Sequence, residues 1–145
     1  MKILNFLPEH LPKIKEIDKE CFLDREDYSK GYLLFLWQRF PQGFLVAKEG
    51  DEIVGYGICQ KEKEKGIIFS IAVKKKWQNS GIGTEILKNL IEILKKEKVK
   101  KIILHVREDN QRAISFYKNF GFEIKEKVEK YYSNGKTAYL MELVI

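Results

Sequence analysis

Residues 77–83, WQNSGIG, set two glycines and three polar side chains between an apolar run and a run with helical spacing. Successive backbone N–H groups at a helix start, bared by glycine, form a nest for a phosphate or pyrophosphate. The stretch is not a Walker loop, because no Gly-Lys-Ser/Thr ends it, nor a dinucleotide fingerprint, because its third glycine position is Ile86. Taken alone it is equally a plain strand-to-helix turn. A second stretch, residues 104–122, LHVREDNQRAISFYKNFGF, lies one helix and one strand further on and carries His105 and Tyr117. An imidazole with an ordinary pKa of about 6.5 suits a general base at neutral pH. The Tyr117 hydroxyl could serve as an acid, since the packing alone would be met by another phenylalanine beside Phe116. The plainer alternatives, a strand-end histidine filling space and a core aromatic, stay open.

Few other chemistries are available. With only His10, His105, Cys21 and Cys59 among the soft donors, no zinc cluster can be assembled, and no metal is expected. The two cysteines belong to no redox spacing and read as small reduced core residues. At 44% hydrophobic and 33% charged, the 145-residue chain reads as a single globular domain over residues 1–145. No apolar run is long enough to span a bilayer, and the first residues lack the charged and apolar sections of a secretory signal. A cytoplasmic protein with no membrane partner is the expectation. The net charge of +6 raises the prospect of a polyanion surface. The lysines of residues 95–101 read as a solvated helix end at the negative pole of the dipole, with none of the interleaved aromatics of a single-strand binder. No specific nucleic acid is therefore expected. Lys74, Lys75 and Lys76 adjoin the glycine turn, and the expectation there is a cofactor phosphate.

The elements that must position these groups follow from periodicity. MKILNFL is a short first strand; Pro8 opens a helix with Leu11, Ile14, Ile17, Asp18 and Cys21 on one face. A second helix spans about residues 29–38 before Pro41 stops it. GFLVAKE and EIVGYGICQ are strands joined by the turn signal Gly50-Asp51. KGIIFSIAV reads as a central strand covered on both faces. A helix over about residues 81–97 carries Ile82, Ile86, Leu90, Ile93 and Leu94 as its apolar stripe. KIILHVR is another buried strand, followed by the helix QRAISFYKNF, capped by Asp109 or Asn110 and ended by Gly121. FEIKEKVEKYY and TAYLMELVI close the chain as an Asn-Gly hairpin. The order βααβββαβαββ implies an α/β layered fold with helices on both faces.

Strand–IAV–QNSGIG–helix, then LHVR..N..A..FY..FGF, resembles the GNAT superfamily of acetyl-CoA-dependent N-acetyltransferases over about residues 53–145. The tail KYYSNGKTAYLMEL is similar to the RimI-like branch, which acetylates protein N-terminal α-amines. The resemblance implies a mixed, mostly antiparallel seven-stranded sheet, splayed between strands 4 and 5. It implies acetyl-CoA as the acetyl donor, with Gln78, Asn79, Ser80, Gly81, Ile82, Gly83 and Thr84 around its pyrophosphate. The backbone of Ile71, Ala72 and Val73 would pair with the pantetheine arm, Asn110 would lie beside that arm, and Tyr117 near the sulfur. Phe22, Leu23, Tyr131, Tyr132 and the region from Tyr28 to Trp37 would wall the acceptor peptide. The sequence departs from the branch at Lys136-Thr137, where acidic residues are frequent, and at Trp77, where some relatives use a catalytic tyrosine.

Transfer from a thioester to an amine needs a neutral amine, a polarised carbonyl and a protonated leaving sulfur. An α-amine, with a pKa near about 8 against about 10.4 for lysine, is the easier acceptor. The expected reaction is direct attack by a protein or peptide N-terminus, a ribosomal protein being one candidate. His105, directly or through water, is the base; Tyr117 is the acid. A small-molecule amine or lysine acetyltransferase and a non-catalytic CoA-binding module remain the alternatives, and the oligomeric state is left open.

Overall fold

The computed structural model describes residues 1–22 and 28–145. Its strands are β1 (Lys2–Asn5), β2 (Phe44–Glu49), β3 (Glu52–Glu62), β4 (Lys65–Val73), β5 (Lys101–Arg107), β6 (Glu123–Val128) and β7 (Ala138–Val144). The α-helices are α1 (Leu11–Cys21), α2 (Lys30–Arg39), α3 (Ile82–Lys96) and α4 (Gln111–Asn119). The seven strands form one sheet in the order β1-β2-β3-β4-β5-β7-β6. Every neighbouring pair is antiparallel except β4 and β5. That matches the fold class expected from the sequence.

Two apolar layers sandwich the sheet. Leu11, Ile14 and Ile17 of α1 with Leu33 and Leu36 of α2 pack on one face, beside Phe44 and Tyr56. Ile82, Ile86, Leu90 and Leu94 of α3 with Ile114 of α4 pack on the other, beside Ile102, Leu104 and Val106. The spacing of about 3.6 residues in α3 places its stripe on the sheet. Gly57 on β3 makes that approach possible, since a Cβ there would lie 2.4 Å from Ile86 Cγ2.

Local signals set the element ends. Ser29 caps α2 by accepting from the Tyr32 N–H at 3.1 Å. Asn110 caps α4 by accepting from the Ala113 N–H at 3.1 Å. Gly50, with φ of 58°, turns β2 into β3 at the place the sequence marks. Three local expectations need correction. Pro8 opens a 3₁₀ turn, Pro8–His10, and the α-helix begins after it. β6 ends at Val128 rather than running through Tyr132, and residues 129–137 loop out before β7. Asn134-Gly135 turns within that loop, where the Gly135 N–H donates to the Tyr132 carbonyl at 2.9 Å, so it is not the tip of a tight hairpin.

The feature that makes a site is the joint between β4 and β5. The two strands pair only at Lys65–Lys101, Gly66–Ile102 and Ile67–Ile103. Beyond that point β4 carries a bulge: Ile58 of β3 faces Ser70 while Cys59 faces Ile68, leaving Phe69 as the extra residue. A bulge bends and twists its strand. The outer half of β4, Ser70 to Val73, therefore stays with β3 while β5 turns to β7.

Candidate active site

The edges left bare in this gap follow from the register. The Lys74 N–H donates to the Val54 carbonyl at 2.8 Å, and Ala72 stands opposite Tyr56. Antiparallel alternation then spends the peptide groups of Ala72 on β3 and turns those of Ile71 and Val73 toward the gap. Of the three residues expected to offer main chain there, two do so. The Val73 carbonyl is shared by Cys21 Sγ at 3.2 Å and Gln78 Nε2 at 2.9 Å.

The glycine loop stands at the mouth of the gap. After a 3₁₀ turn, Lys75–Trp77, the chain passes through Asn79 at φ 64° and Gly81 at φ 87°, then enters α3. Gly81 is the N-cap and supplies no side-chain cap. The amides of Ile82, Gly83 and Thr84 thus form an uncapped first turn, with the positive end of the helix dipole behind them. Ser80 Oγ donates to the Trp77 carbonyl and is folded into the loop itself. Arg112 of α4 reaches across, Nη1 to Gln78 Oε1 at 3.0 Å and Nη2 to Asn79 Oδ1 at 2.9 Å. Sequence reading missed this brace, because nothing local to Arg112 shows where its guanidinium lands.

The three lysines beside the loop have carboxylates close by. Lys74 and Lys76 both pair with Glu52, at 3.1 and 3.5 Å, and the Lys75 N–H is taken by Glu20 at 2.9 Å. Glu52 is held below the usual carboxylate range chiefly by its hydrogen bond from Lys74. Trp77 is half-buried, and its buried indole N–H has no partner among the described residues.

His105 lies on the face of β5 opposite Leu104 and Val106, as strand alternation predicts. Its imidazole stacks on Tyr131, with ring centroids 4.3 Å apart and planes within 9°. Leu140 stands beside it on β7, and Glu126 stands beyond Leu140 on β6. Burial lowers the His105 pKa from its ordinary value, and the Glu126 carboxylate opposes that shift in part. Among the described residues neither ring nitrogen has a hydrogen-bond partner. Both nitrogens lie at the ring edge, where stacking leaves them reachable.

Tyr117 projects from α4, wedged edge-on against Phe116 at 5.2 Å and Phe122 at 5.7 Å. Burial pushes its phenol well above the ordinary tyrosine range, and the neighbouring Tyr132 adds to the effect. The hydroxyl has no hydrogen-bond partner among the described residues. Asn110 spends its side-chain oxygen on the α4 cap, which leaves its amide group for other use.

Tyr131, stacked on His105, belongs to one aromatic cluster, and the start of α2 carries another. Tyr131 and Tyr132 meet edge to face at 5.0 Å on the loop before β7. Tyr28, just before α2, lies 5.3 Å from Tyr32 of α2, and Tyr32 stacks in turn on Phe35. Burial raises the Tyr131 phenol above its ordinary value, and Tyr32 adds to the shift. Trp37 belongs to the core instead, edge-on to Phe6 at 5.9 Å, and Phe22 packs against the α1–α2 layer. Leu23 lies outside the described residues. Cys21 is half-buried on Val73, while Cys59 is buried and its thiol pushed up to about 12 by desolvation. Neither is a ready nucleophile. Among the described residues, no three His, Cys, Asp or Glu side chains gather as a metal site.

A parallel pair opened at a bulge, with a glycine-led helix start at its mouth, is matched by a family model. The Acetyltransferase (GNAT) family model covers residues 11–122. The chain is a GNAT-family acetyltransferase. It is 34% identical to an uncharacterized N-acetyltransferase of Methanocaldococcus jannaschii over 97% of this chain and 90% of that one. An N-alpha-acetyltransferase of Sulfolobus acidocaldarius is 30% identical over 90% of this chain and 88% of its own. Arabidopsis thaliana Naa50, solved with the bisubstrate analogue CoA-Ac-MVNAL, superposes with a TM-score of 0.87 at 25% identity, covering 99% of this chain and 98% of that one. The name of the Sulfolobus relative agrees with the α-amine-acetylating branch that the sequence resembles.

Proposed function

We propose that this acetyltransferase moves an acetyl group from acetyl-CoA to the α-amine of a protein or peptide N-terminus. The observation that carries the reading is the β4–β5 gap. There the Ile71 and Val73 edges and the first-turn amides of α3 lie on one side, His105 lies on the sheet, and Tyr117 lies on α4. The names of the Sulfolobus relative and of the Arabidopsis complex support the same acceptor class for those proteins.

The residues fit the donor. Gly83 has space for a Cβ, the nearest atom being Phe116 Cζ at 3.7 Å, so the fold itself does not demand glycine there. A bare main chain at that point suits close approach of a pyrophosphate to the Ile82, Gly83 and Thr84 amides. Gln78 and Asn79 shape the loop under Arg112. The Ile71 and Val73 edges give the pantetheine arm a strand to lie along, with the Asn110 amide beside it. Acetyl-CoA supplies the activated acyl group; the chain positions it and moves two protons. The outward N–H groups of Ile71 and Val73 can polarise a carbonyl in the gap. His105 takes a proton from the attacking amine at a ring nitrogen, directly or through water, and the Tyr117 hydroxyl returns one to the departing sulfur. Tyr131, Tyr132, Tyr28 and Tyr32 line the acceptor's approach.

Magnitudes favour an α-amine. At pH 7 about one α-amine in ten is neutral, against fewer than about one lysine in a thousand. An imidazole whose pKa is lowered is a weak base, and suffices only for an amine already close to losing its proton. The two cysteines are free thiols, which suits the reducing cytoplasm where such an enzyme would meet new N-termini.

Mass spectrometry after incubation with acetyl-CoA and a peptide library tests the proposal. Acetylation at peptide α-amines, with lysine side chains untouched, is the expected result; acetylation confined to lysines would replace it. The base assignment has its own readout. A base with a lowered pKa stays neutral to lower pH, so the acidic limb of kcat/KM, which reports the free enzyme, should have its midpoint below about 6.5. His105→Ala should remove that limb and lower kcat by about a hundredfold. Any rise toward the amine's own pKa near about 8 should remain in both proteins. A limb that survives the substitution assigns the base elsewhere.

A further inference from the structure

Asp18 of α1 is fully buried at 0% exposure, and the reaction described above does not use it. Its Oδ1 accepts from the Tyr56 hydroxyl at 2.8 Å, and its Oδ2 accepts from the Tyr28 main-chain N–H at 3.3 Å. The Tyr56 hydroxyl also lies 3.1 Å from Ser70 Oγ, on the residue that follows the Phe69 bulge. Tyr28 is held at three further points. Lys15, one turn before Asp18, donates to its carbonyl; its own hydroxyl reaches the Phe69 carbonyl at 3.5 Å; and its ring lies against Tyr32.

A carboxylate is an expensive way to fill this place. Burying it costs free energy that only good hydrogen bonds offset, whereas an apolar side chain would pack between α1 and β3 without that cost. What the carboxylate adds is direction. It joins the start of the α2 aromatic wall to the point where β4 leaves β5. We propose that Asp18 is a positioning residue that sets Tyr28, and through it Tyr32, at a fixed distance from the opened strand, and so fixes the width of the acceptor cleft. This rests on the reading of Tyr28 and Tyr32 as an acceptor wall.

The test is steady-state kinetics with acetyl-CoA and a peptide that the wild type acetylates, using Asp18→Asn. Asparagine keeps the shape but removes the charge and one of the two acceptor oxygens, so the hydrogen bonds that hold the Tyr28 N–H and the Tyr56 hydroxyl are weakened. The KM for peptide should rise about tenfold while the KM for acetyl-CoA stays within about twofold. A merely structural role would raise both together or neither, and either result overturns the proposal. Should Asp18→Asn fail to fold, Tyr56→Phe removes the hydroxyl that ties the Asp18 carboxylate to Ser70 while leaving Asp18 in place. It should raise the peptide KM selectively, and an unchanged value overturns the assignment equally. If the wild type acetylates no peptide, the acceptor wall itself is wrong and the role of Asp18 falls with it. If the wild type does and both variants match it, only Asp18 falls.

Discussion

Replacing Tyr117 by phenylalanine should lower kcat by about a hundredfold or more, with the KM for acetyl-CoA within about twofold and no loss of thermal stability. The reasons are separable. The ring packs edge-on against Phe116 and Phe122, and phenylalanine keeps those contacts. The hydroxyl has no partner among the described residues, so its removal strands no buried group. Its raised pKa keeps the phenol protonated throughout the neutral range, the state needed to deliver a proton to a leaving thiolate. Held protonated across the neutral range, the phenol leaves almost no phenolate to take up a proton, which separates its role from that of His105. Measured kcat close to wild type would show that the sulfur takes its proton from elsewhere, and Tyr117 would return to the core aromatic its helical spacing also allows.

Gly83→Ala and Gly83→Val should raise the KM for acetyl-CoA in that order, the valine by at least about tenfold, with kcat at saturation little changed. A Cβ at Gly83 would meet Phe116 Cζ at 3.7 Å and Val73 Cγ2 at 3.8 Å, ordinary contacts that the fold accepts. Alanine also costs less backbone entropy than glycine in a helix, so Gly83→Ala should leave stability unchanged or raise it by about 0.5 kcal/mol. Stability and donor affinity would then move in opposite directions, the pattern of a residue kept for binding rather than for folding. Gly81 provides the contrast. Its φ of 87° is a conformation that a Cβ strains, so Gly81→Ala should destabilise the chain as well. Thermal melts beside donor kinetics distinguish the two glycines. An unchanged KM for Gly83→Val would make the loop a plain turn.

Local grammar made most of the elements legible. The α3 stripe, the Asn110 cap, Gly121 at φ 98° and the two-residue turn at Gly50-Asp51 stand where short-range spacing puts them. Each depends on residues within one or two turns of each other. Misreadings arose where local signals compete with distant ones. Asn134-Gly135 is a strong hairpin signal, but β6 pairs with β7 only as far as Val128–Ala138, and the aromatic loop leaves the sheet instead. Nor does local sequence show that Glu52, more than twenty residues earlier, pairs with Lys74 and Lys76 beside the glycine loop. The motif residues His105, Tyr117, Gly81 and Gly83 were legible because family resemblance carries positions, not because spacing alone assigned them roles.

By itself, then, the sequence determined the order of the elements, the sidedness of His105 on its strand and the glycines of the helix start. All of these are consequences of backbone periodicity and φ preference. The tertiary structure alone decided the Phe69 bulge and the gap it opens, and turned Ile71 and Val73 but not Ala72 toward that gap. It also decided the Arg112 brace, the stack of Tyr131 on His105 and the hold of Asp18 on Tyr28. Those depend on strand register and on how residues tens of positions apart meet once the sheet twists, and no local preference encodes where such partners land.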